Sequence, residues 1–177
     1  MDRTRWLSAD EQQAWRAFVE GAQLLFKQLD QQLQRDAGLS HADYEILVRL
    51  SEADGRRMRM SELAEQALFS RSRVSHAVAR LERAGWVCRQ GCASDRRGTF
   101  AVLTDEGRRV LAAAAPGHVA AVRRHLFDRL TPAQVGQLRR LGGALRDHLR
   151  GEQADALGGE QADALGGEQA DAATAEP

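Results

Sequence analysis

The sequence predicts a mainly α-helical fold with one small β-hairpin, and three observations lead to this prediction. Apolar residues recur at three- and four-residue spacing over most of residues 8–150, which is the period of an amphipathic helix. Between residues 86 and 103 the pattern changes to short apolar and β-branched runs on either side of a turn-prone segment, as expected for two strands. Ser or Thr precedes most of the long apolar runs, as at helix N-termini.

The first half of the chain divides into four helical segments. Ser8 and Glu11 form a capping-box pattern that opens a helix of about 28 residues ending at Gly38, a length that suggests packing beyond its own domain. Ser40 opens a second helix, which ends before a basic turn at residues 56–59. A short third helix is expected over residues 61–67. The fourth begins after Ser70 and ends at Gly85, a residue type typical of helix C-termini.

The second half begins with the hairpin. Strands are expected at residues 86–90 and 99–103, joined by the charged segment 91–98. Thr104, followed by two acidic residues, opens a fifth helix. Thr131 precedes Pro132 and opens the last helix of the body, because proline is favoured at the first helical position.

The charge distribution is asymmetric. The 177 residues include 25 basic and 25 acidic ones, but the last 27 residues hold seven acidic and no basic residues. Residues 1–150 therefore carry 25 basic and 18 acidic residues, a net charge of +7. No apolar run approaches the roughly 18 residues of a membrane span, and the N-terminus lacks the pattern of a signal segment. We therefore expect a cytoplasmic protein without a membrane partner.

Two short helices followed by a charged hairpin form the winged variant of the helix-turn-helix. On the helix after Ser70, the apolar stripe of Val74, Ala77, Val78 and Leu81 leaves an outer face that is small, polar and positive. Such a face can enter a major groove and contact base edges and phosphates. The residues expected to do so are Arg71, Ser72, Arg73, Ser75, His76 and Arg80.

Positive charge is concentrated in the same region. Residues 55–109 contain twelve arginines and six acidic residues, a net +6, whereas residues 1–54 carry a net −4. The hairpin tip contains Asp95, Arg96 and Arg97. An arginine inserted into a minor groove benefits from a nearby carboxylate that holds its guanidinium. The expected partner is therefore double-stranded DNA, bound without catalytic chemistry. Such a protein would be associated with the nucleoid when it is bound to DNA.

The run MSELAEQALFSRSRVSHAVARLERAGWV, followed by DRRG and LTDEG, resembles the multiple antibiotic resistance regulator (MarR) family of bacterial transcription factors. The resemblance spans nearly all of residues 8–150. It implies a homodimer with interlocking N- and C-terminal helices that binds a pseudo-palindromic operator, most often as a repressor released by a small-molecule inducer. It also implies that Arg97 enters the minor groove with Asp95 as its brace. The acidic C-terminal repeat departs from the family pattern.

Exposed apolar side chains also favour a homodimer, because a single small domain cannot cover both the first and the last helix. We predict four regions: an N-terminal dimerisation helix (1–37), a winged helix-turn-helix DNA-binding domain (38–104), C-terminal dimerisation helices (105–150) and a largely disordered acidic tail (151–177). The tail repeats GEQADALG. Paired glycines oppose helix there, but the remaining residues favour it, so a helical continuation stays open. The tail could shield the basic surface or only aid solubility.

Several weaker signals have competing interpretations. Cys88 and Cys92 could form a thiol-based redox switch in the wing, although simple packing residues are the favoured interpretation. Trp15, His41 and Tyr44 could line a ligand pocket, or only pack in the core. No metal site or cofactor is expected, because cysteines and carboxylates do not cluster with histidines at ligand spacing. A winged-helix module that binds another protein is a further alternative.

Overall fold

The structure, a computed structural model, describes residues 4–92 and 95–172, with side chains described except at positions 92, 95–97 and 153–172. It comprises two compact units, Met1–Arg129 and Leu130–Pro177. The first contains helices α1 (Ala9–Ala37), α2 (His41–Glu52), α3 (Met60–Ala67), α4 (Arg71–Arg83) and α5 (Asp105–His125), and strands β1 (Arg57–Arg59), β2 (Val87–Cys92) and β3 (Asp95–Leu103). The second contains α6 (Pro132–Ala172). The predicted mainly helical fold with a small sheet is confirmed.

The helices begin where the predicted caps lie. The Ser8 hydroxyl accepts the backbone N–H of Glu11 at 3.2 Å, and the Glu11 carboxylate accepts the backbone N–H of Ser8 at 2.7 Å. These hydrogen bonds hold the pKa of the Glu11 carboxyl below its usual value. The hydroxyls of Ser40, Ser70 and Thr104 likewise each accept a backbone N–H in the first turn of α2, α4 and α5. The local chemistry of the caps therefore defines the helix starts.

The sheet has three antiparallel strands in the order β1-β3-β2. The sequence predicts a basic turn at residues 56–59, but Arg57–Arg59 is a strand whose Met58 pairs with Ala101. Three residues are too few to show a two-residue period, so this strand has no clear sequence signal. The hairpin is also longer than predicted, because β2 and β3 extend into the expected turn, with a register shift between Gly91 and Cys92.

One apolar core joins the helices and the sheet of the first unit. Residues predicted to face inward on α3 and α4, including Leu63, Val74 and Leu81, are at most 1% exposed, which confirms their orientation. Leu33 of α1 and Leu47 of α2 are fully buried in the same cluster. The core therefore holds α4 against α2 and the sheet, and leaves its opposite side available.

A polar network lies where α1 and α5 meet. Gln32, only 4% exposed, donates from Nε2 to the Asp36 carboxylate at 2.9 Å, and its Oε1 lies 3.4 Å from His118 Nδ1. A Cβ at Gly117 would lie 3.3 Å from the same Nε2, so the glycine permits this close approach. The His118 ring packs on Tyr44 with centroids 4.4 Å apart.

Burial lowers the pKa of His118, and the neighbouring His41 lowers it further, while Glu45 acts in the opposite direction. The folded structure therefore favours the neutral form of the His118 imidazole over the charged form.

The second unit is one long helix. Thr131 caps α6, because its hydroxyl accepts the backbone N–H of Gln134 and the Gln134 side chain accepts the backbone N–H of Thr131 at 2.8 Å. The helix continues past Arg150 through the repeat to Ala172, which differs from the expectation of a largely disordered tail. Six of every eight repeat residues are non-glycine, and most of them are good helix formers that oppose the cost of the glycine pairs. Among the described residues, no helix is long and apolar enough to cross a membrane.

Gly107 is expected to tolerate no side chain. It lies in the first turn of α5, where a Cβ would overlap the carbonyl oxygen of Trp86 and lie 2.8 Å from Leu103 Cδ1. We expect Gly107→Ala to lower the free energy of unfolding by about 3 kcal/mol or more, because backbone must shift to relieve the overlap. Gly21→Ala, where a Cβ meets nothing within 4 Å on α1, should instead be neutral or stabilising. Urea denaturation of both variants checks this, and similar midpoints would contradict it.

Folded stability should fall as His118 becomes protonated. The pKa of His118 is lower in the folded than in the unfolded protein, so its contribution is present above the unfolded value of about 6.5 and is lost as pH falls. We expect the free energy of unfolding to drop between pH 7.5 and 5.5 by more in the wild type than in His118→Phe, which keeps a ring against Tyr44. His125→Phe, an exposed position on the same helix, should retain the wild-type pH dependence. Equal drops in all three proteins would refute the assignment.

Candidate nucleic-acid interface

The orientation of α4 is determined by its apolar stripe. Val74, Ala77, Val78 and Leu81 are each at most 1% exposed. Because successive helical residues are about 100° apart, burying this stripe turns the opposite residues outward. The prediction that the apolar stripe of α4 is buried and the opposite face is exposed is therefore confirmed.

The outer face of α4 carries short polar groups. Ser72, Ser75 and His76 are exposed, and so is Arg71 in the first turn. The Ser72 hydroxyl lies 3.1 Å from the hydroxyl of the capping Ser70. Hydroxyls and an imidazole can both donate and accept hydrogen bonds. This chemistry suits contact with base edges.

Arg73 stands at one flank of that face. Its guanidinium packs over the ring of Phe69 at 4.2 Å from the ring centroid, a cation–π contact. Phe69 belongs to the turn between α3 and α4. The contact therefore places this positive charge beside the turn rather than at the centre of the outer face.

Arg80 is paired with α2. Its Nη2 donates to Asp43 Oδ1 at 2.8 Å, and the other carboxylate oxygen accepts the Ser40 hydroxyl at 2.6 Å. Asp43 is only 8% exposed, while the Arg80 side chain is half exposed. Sequence reasoning predicted Arg80 as a DNA contact but missed this pairing, because the two partners are 37 residues apart. The structure gives Arg80 a role in positioning α4.

Arg89, at the start of the hairpin, was not among the predicted site residues. Its guanidinium donates to the backbone carbonyl of Ser75 at 3.0 Å and lies 3.4 Å from the Glu82 carboxylate, which also accepts the Arg89 backbone N–H. These contacts join strand β2 to the N-terminal half of α4, at Ser75, and to its C-terminal end, at Glu82. A basic strand residue close behind an acidic helix residue is the sequence signal that could have indicated it.

The hairpin tip carries the remaining predicted DNA contacts. The backbone of Asp95, Arg96 and Arg97 lies in β3, but their side chains, like that of Cys92, lie outside the described residues. Cys88 is half-buried on β2, where it pairs with Val102 of β3. Within the described part of the chain no group of three or more His, Cys, Asp or Glu residues is arranged to hold a metal ion.

A cavity of about 820 Å³ lies between α1, α2, the α3–α4 turn and α4, a size typical of small-molecule sites. Phe26, Ala42 and Phe69 give it apolar walls, and Arg49 adds a positive charge that the Glu45 carboxylate, 3.7 Å away, partly offsets. The Nε of Arg49 is buried and has no hydrogen-bond partner in the protein. Such a donor is costly when unsatisfied. The cavity therefore offers apolar surface together with an unused donor.

The α4 side of the same cavity is formed by Arg73, His76 and Arg80. These are residues that the sequence analysis assigned to DNA. The cavity therefore borders the candidate DNA-facing helix along one flank of its exposed face.

The predicted pocket residues are only partly brought together. His41 lines the cavity and meets Phe26 with ring centroids 5.4 Å apart. Tyr44 is 7% exposed and packs on His118 instead. Burial raises the pKa of the Tyr44 phenol, with Glu45 adding to the effect. Trp15 is 59% exposed, packs near Phe18 and does not line the cavity, because its position on α1 turns it away from the core.

Comparison with known proteins finds one matching family model and several curated relatives. The family model described as MarR family matches residues 37–98. The chain is 31% identical over 85 residues to the HTH-type transcriptional repressor YetL of Bacillus subtilis, covering 48% of this chain and 51% of YetL. It is 33% identical over 78 residues to the transcriptional regulator HosA of Escherichia coli, covering 44% of this chain and 56% of HosA. The chain thus spans about half the length of the curated relatives it matches.

Two solved structures from Streptomyces coelicolor are more similar. Sco3205, a MarR family transcriptional regulator solved in complex with DNA, is 55% identical with a TM-score of 0.79, covering 82% of this chain and 92% of Sco3205. AbsC, another MarR family transcriptional regulator, is 50% identical with a TM-score of 0.78, covering 84% of this chain and 99% of AbsC. Since half or more of the residues are identical over nearly the whole of both proteins, this chain belongs to the MarR family of transcriptional regulators.

Proposed function

We propose that the protein is a transcriptional regulator, and not an enzyme, that binds a pseudo-palindromic operator in double-stranded DNA as a homodimer. The observation that carries this proposal is the exposed polar face of α4, held outward by the buried stripe beside the arginine-rich hairpin. Arg71, Ser72, Ser75 and His76 would contact the major groove. The DNA present in the Sco3205 structure supports the assignment.

The homodimer is supported by exposed apolar side chains. On α1, Trp15, Phe18 and Phe26 are 54–59% exposed, and on α6, Leu141 is 72% exposed. Leaving such side chains in water is unfavourable, and a two-fold partner would bury them. In this arrangement residues 1–37 and 105–150 form the dimer, and residues 38–104 bind DNA. Two recognition helices about 34 Å apart would contact half-sites about 10 bp apart.

The cavity supports the proposal that the protein is a ligand-responsive repressor. Its aromatic walls and the unsatisfied Nε of Arg49 suit a small aromatic anion. Because Arg73, His76 and Arg80 form one of its walls, a bound ligand would alter the position of α4. YetL, a relative of this chain, is named a repressor. A ligand that binds the DNA-free form more tightly would release the operator.

The operator assignment is tested by selecting bound fragments from a random duplex pool. We expect a near-palindromic site of roughly 16–20 bp. Arg97→Ala should weaken binding to it by about 1–3 kcal/mol and remove the preference for a flanking A·T step, because a minor-groove arginine responds to groove width. Arg124→Ala, an exposed position on α5, is the matched control and should bind as the wild type does. Unchanged flank preference in Arg97→Ala would contradict the wing assignment, and selection of no duplex would contradict DNA binding.

The ligand proposal is tested with a panel of small aromatic carboxylates. A binding member should raise the melting temperature of the free protein, since a ligand at 100 times its Kd stabilises by about 2.7 kcal/mol. It should also release fluorescently labelled operator. Ala42→Leu, which narrows the cavity, should abolish both effects, whereas Ala112→Leu on the exposed face of α5 should retain them. Equal responses in the two variants would place the ligand elsewhere, and no response from any member would argue against an aromatic anion.

A further inference from the structure

The N-terminal part of α2 connects helix α5 to helix α4. The ring of Tyr44 packs against the ring of His118 on α5, with centroids 4.4 Å apart. The preceding residue, Asp43, accepts a hydrogen bond from Arg80 of α4 at 2.8 Å. Tyr44 and Asp43 are only 7% and 8% exposed. Because neighbouring residues of a helix move together with its backbone, a displacement of Tyr44 also displaces the carboxylate that holds Arg80.

Groups from α1 and α2 surround the His118 side chain. On α2, the ring centroid of His41 lies 6.0 Å from that of His118, and Glu45 is close enough to influence its charge. On α1, Gln32 Oε1 lies 3.4 Å from His118 Nδ1, and the same amide donates to the Asp36 carboxylate. The residues three and four positions away on α5 carry no ionisable group: Ala114, Ala115, Ala121 and Val122. The ionisable groups that face His118 are therefore on α1 and α2: Asp36, His41, Tyr44 and Glu45.

This environment favours a neutral imidazole at His118. Burial lowers the pKa of His118, the neighbouring His41 lowers it further, and the Glu45 carboxylate offsets only part of the decrease. A neutral ring can donate from Nδ1 to Gln32 and pack against Tyr44 at the same time. Protonation adds a second N–H donor and a charge, both of which are more stable in water. A charged His118 is therefore expected to move away from Tyr44 towards solvent.

We propose that the contact between His118 and Tyr44 is a pH-sensitive switch: protonation of His118 releases the N-terminal part of α2 and thereby moves α4 out of its operator-binding position. The inference rests on the proposed DNA-binding function and assigns its regulation to a residue outside the DNA-facing surface. The effect passes through Asp43 to Arg80, whose side chain is half exposed and so can change position with α2. DNA then binds the form in which α2 is held, and protons bind the released form, so each opposes the other.

The switch is tested by measuring the affinity of full-length protein for a selected operator between pH 7.5 and 5.5 at constant ionic strength. His118→Phe keeps a ring against Tyr44 but cannot be protonated. Since allosteric coupling typically changes affinity by about 5- to 150-fold, we expect wild-type affinity to fall relative to that of His118→Phe by about fivefold or more. Any charge that His76 on α4 gains in acid is common to both proteins, so its contribution cancels. His125→Phe, at an exposed position on α5, should behave as the wild type does.

Asp43→Asn tests the route from His118 to DNA. The amide keeps the size of the side chain but lacks the charge that holds Arg80, so α4 should no longer follow α2. We expect the operator affinity of this variant to lose the wild-type pH dependence and to respond as His118→Phe does. Its free energy of unfolding should still fall between pH 7.5 and 5.5 as in the wild type, because His118 still titrates beside the same neighbours. That measurement also reports whether the variant is folded.

Parallel pH responses of the wild type and His118→Phe would overturn the switch, even if both proteins bind the operator tightly at pH 7.5. A wild-type response that persists in Asp43→Asn would show that the proton acts without the Asp43–Arg80 pair, and would overturn the proposed route through α2. Failure of the wild type to bind any duplex at pH 7.5 would instead contradict the DNA-binding function on which the switch rests.

Discussion

The structure depends on how α4 is held against the rest of the first unit. Its buried stripe, from Val74 to Leu81, determines the rotation of α4 about its own axis. When one face of a helix is buried, the residues on the opposite face are exposed. Two polar contacts then determine its tilt: Arg80 with Asp43 on α2, and Arg89 with Ser75 and Glu82. The first joins α4 to the helices behind it, and the second joins it to the hairpin. A loss at either contact would leave the stripe buried but would change the angle at which the exposed face meets a partner.

Helix α4 forms part of the lining of two separate concave surfaces. Arg73, His76 and Arg80 border the cavity, while Arg71 and Ser75 line a second concave surface of about 460 Å³ beside the hairpin. The two concave surfaces therefore share α4 as a wall. A ligand needs only about 1–3 kcal/mol of differential interaction to change affinity at a second site by one or two orders of magnitude. The half-exposed Arg80 guanidinium and the unsatisfied Arg49 donor are groups that a ligand in the cavity could engage.

Features that depend on residues close together in the sequence could be predicted, whereas contacts between residues far apart in the sequence could not. Caps such as Ser8 and the stripe of α4 are local patterns, and they were predicted correctly because they act within one or two turns. Strand β1 was missed, since three residues pair only through the distant β3. The partners Asp43 and Arg80, and Gln32 and His118, are 37 and 86 residues apart, and no single-sequence pattern connects them. Of the three residues suggested for a ligand pocket, His41 lines the cavity and Trp15 and Tyr44 do not, because helical position directs each side chain and residue type alone does not show it.

The neutral and the charged side chains on the exposed face of α4 would contribute differently to DNA binding. The exposed face carries the neutral hydroxyls of Ser72 and Ser75, with the guanidiniums of Arg71 and Arg73 next to Ser72 in the first turn. Charged groups gain affinity by releasing counterions from any DNA, so their contribution falls with salt and does not depend on sequence. Short neutral groups contribute little to that term, but they lose a hydrogen bond when the base edge is wrong. Affinity and specificity would thus arise from different residues of one helix, and because the charged contribution is common to all sequences, the ratio of specific to nonspecific binding should change little as salt is added.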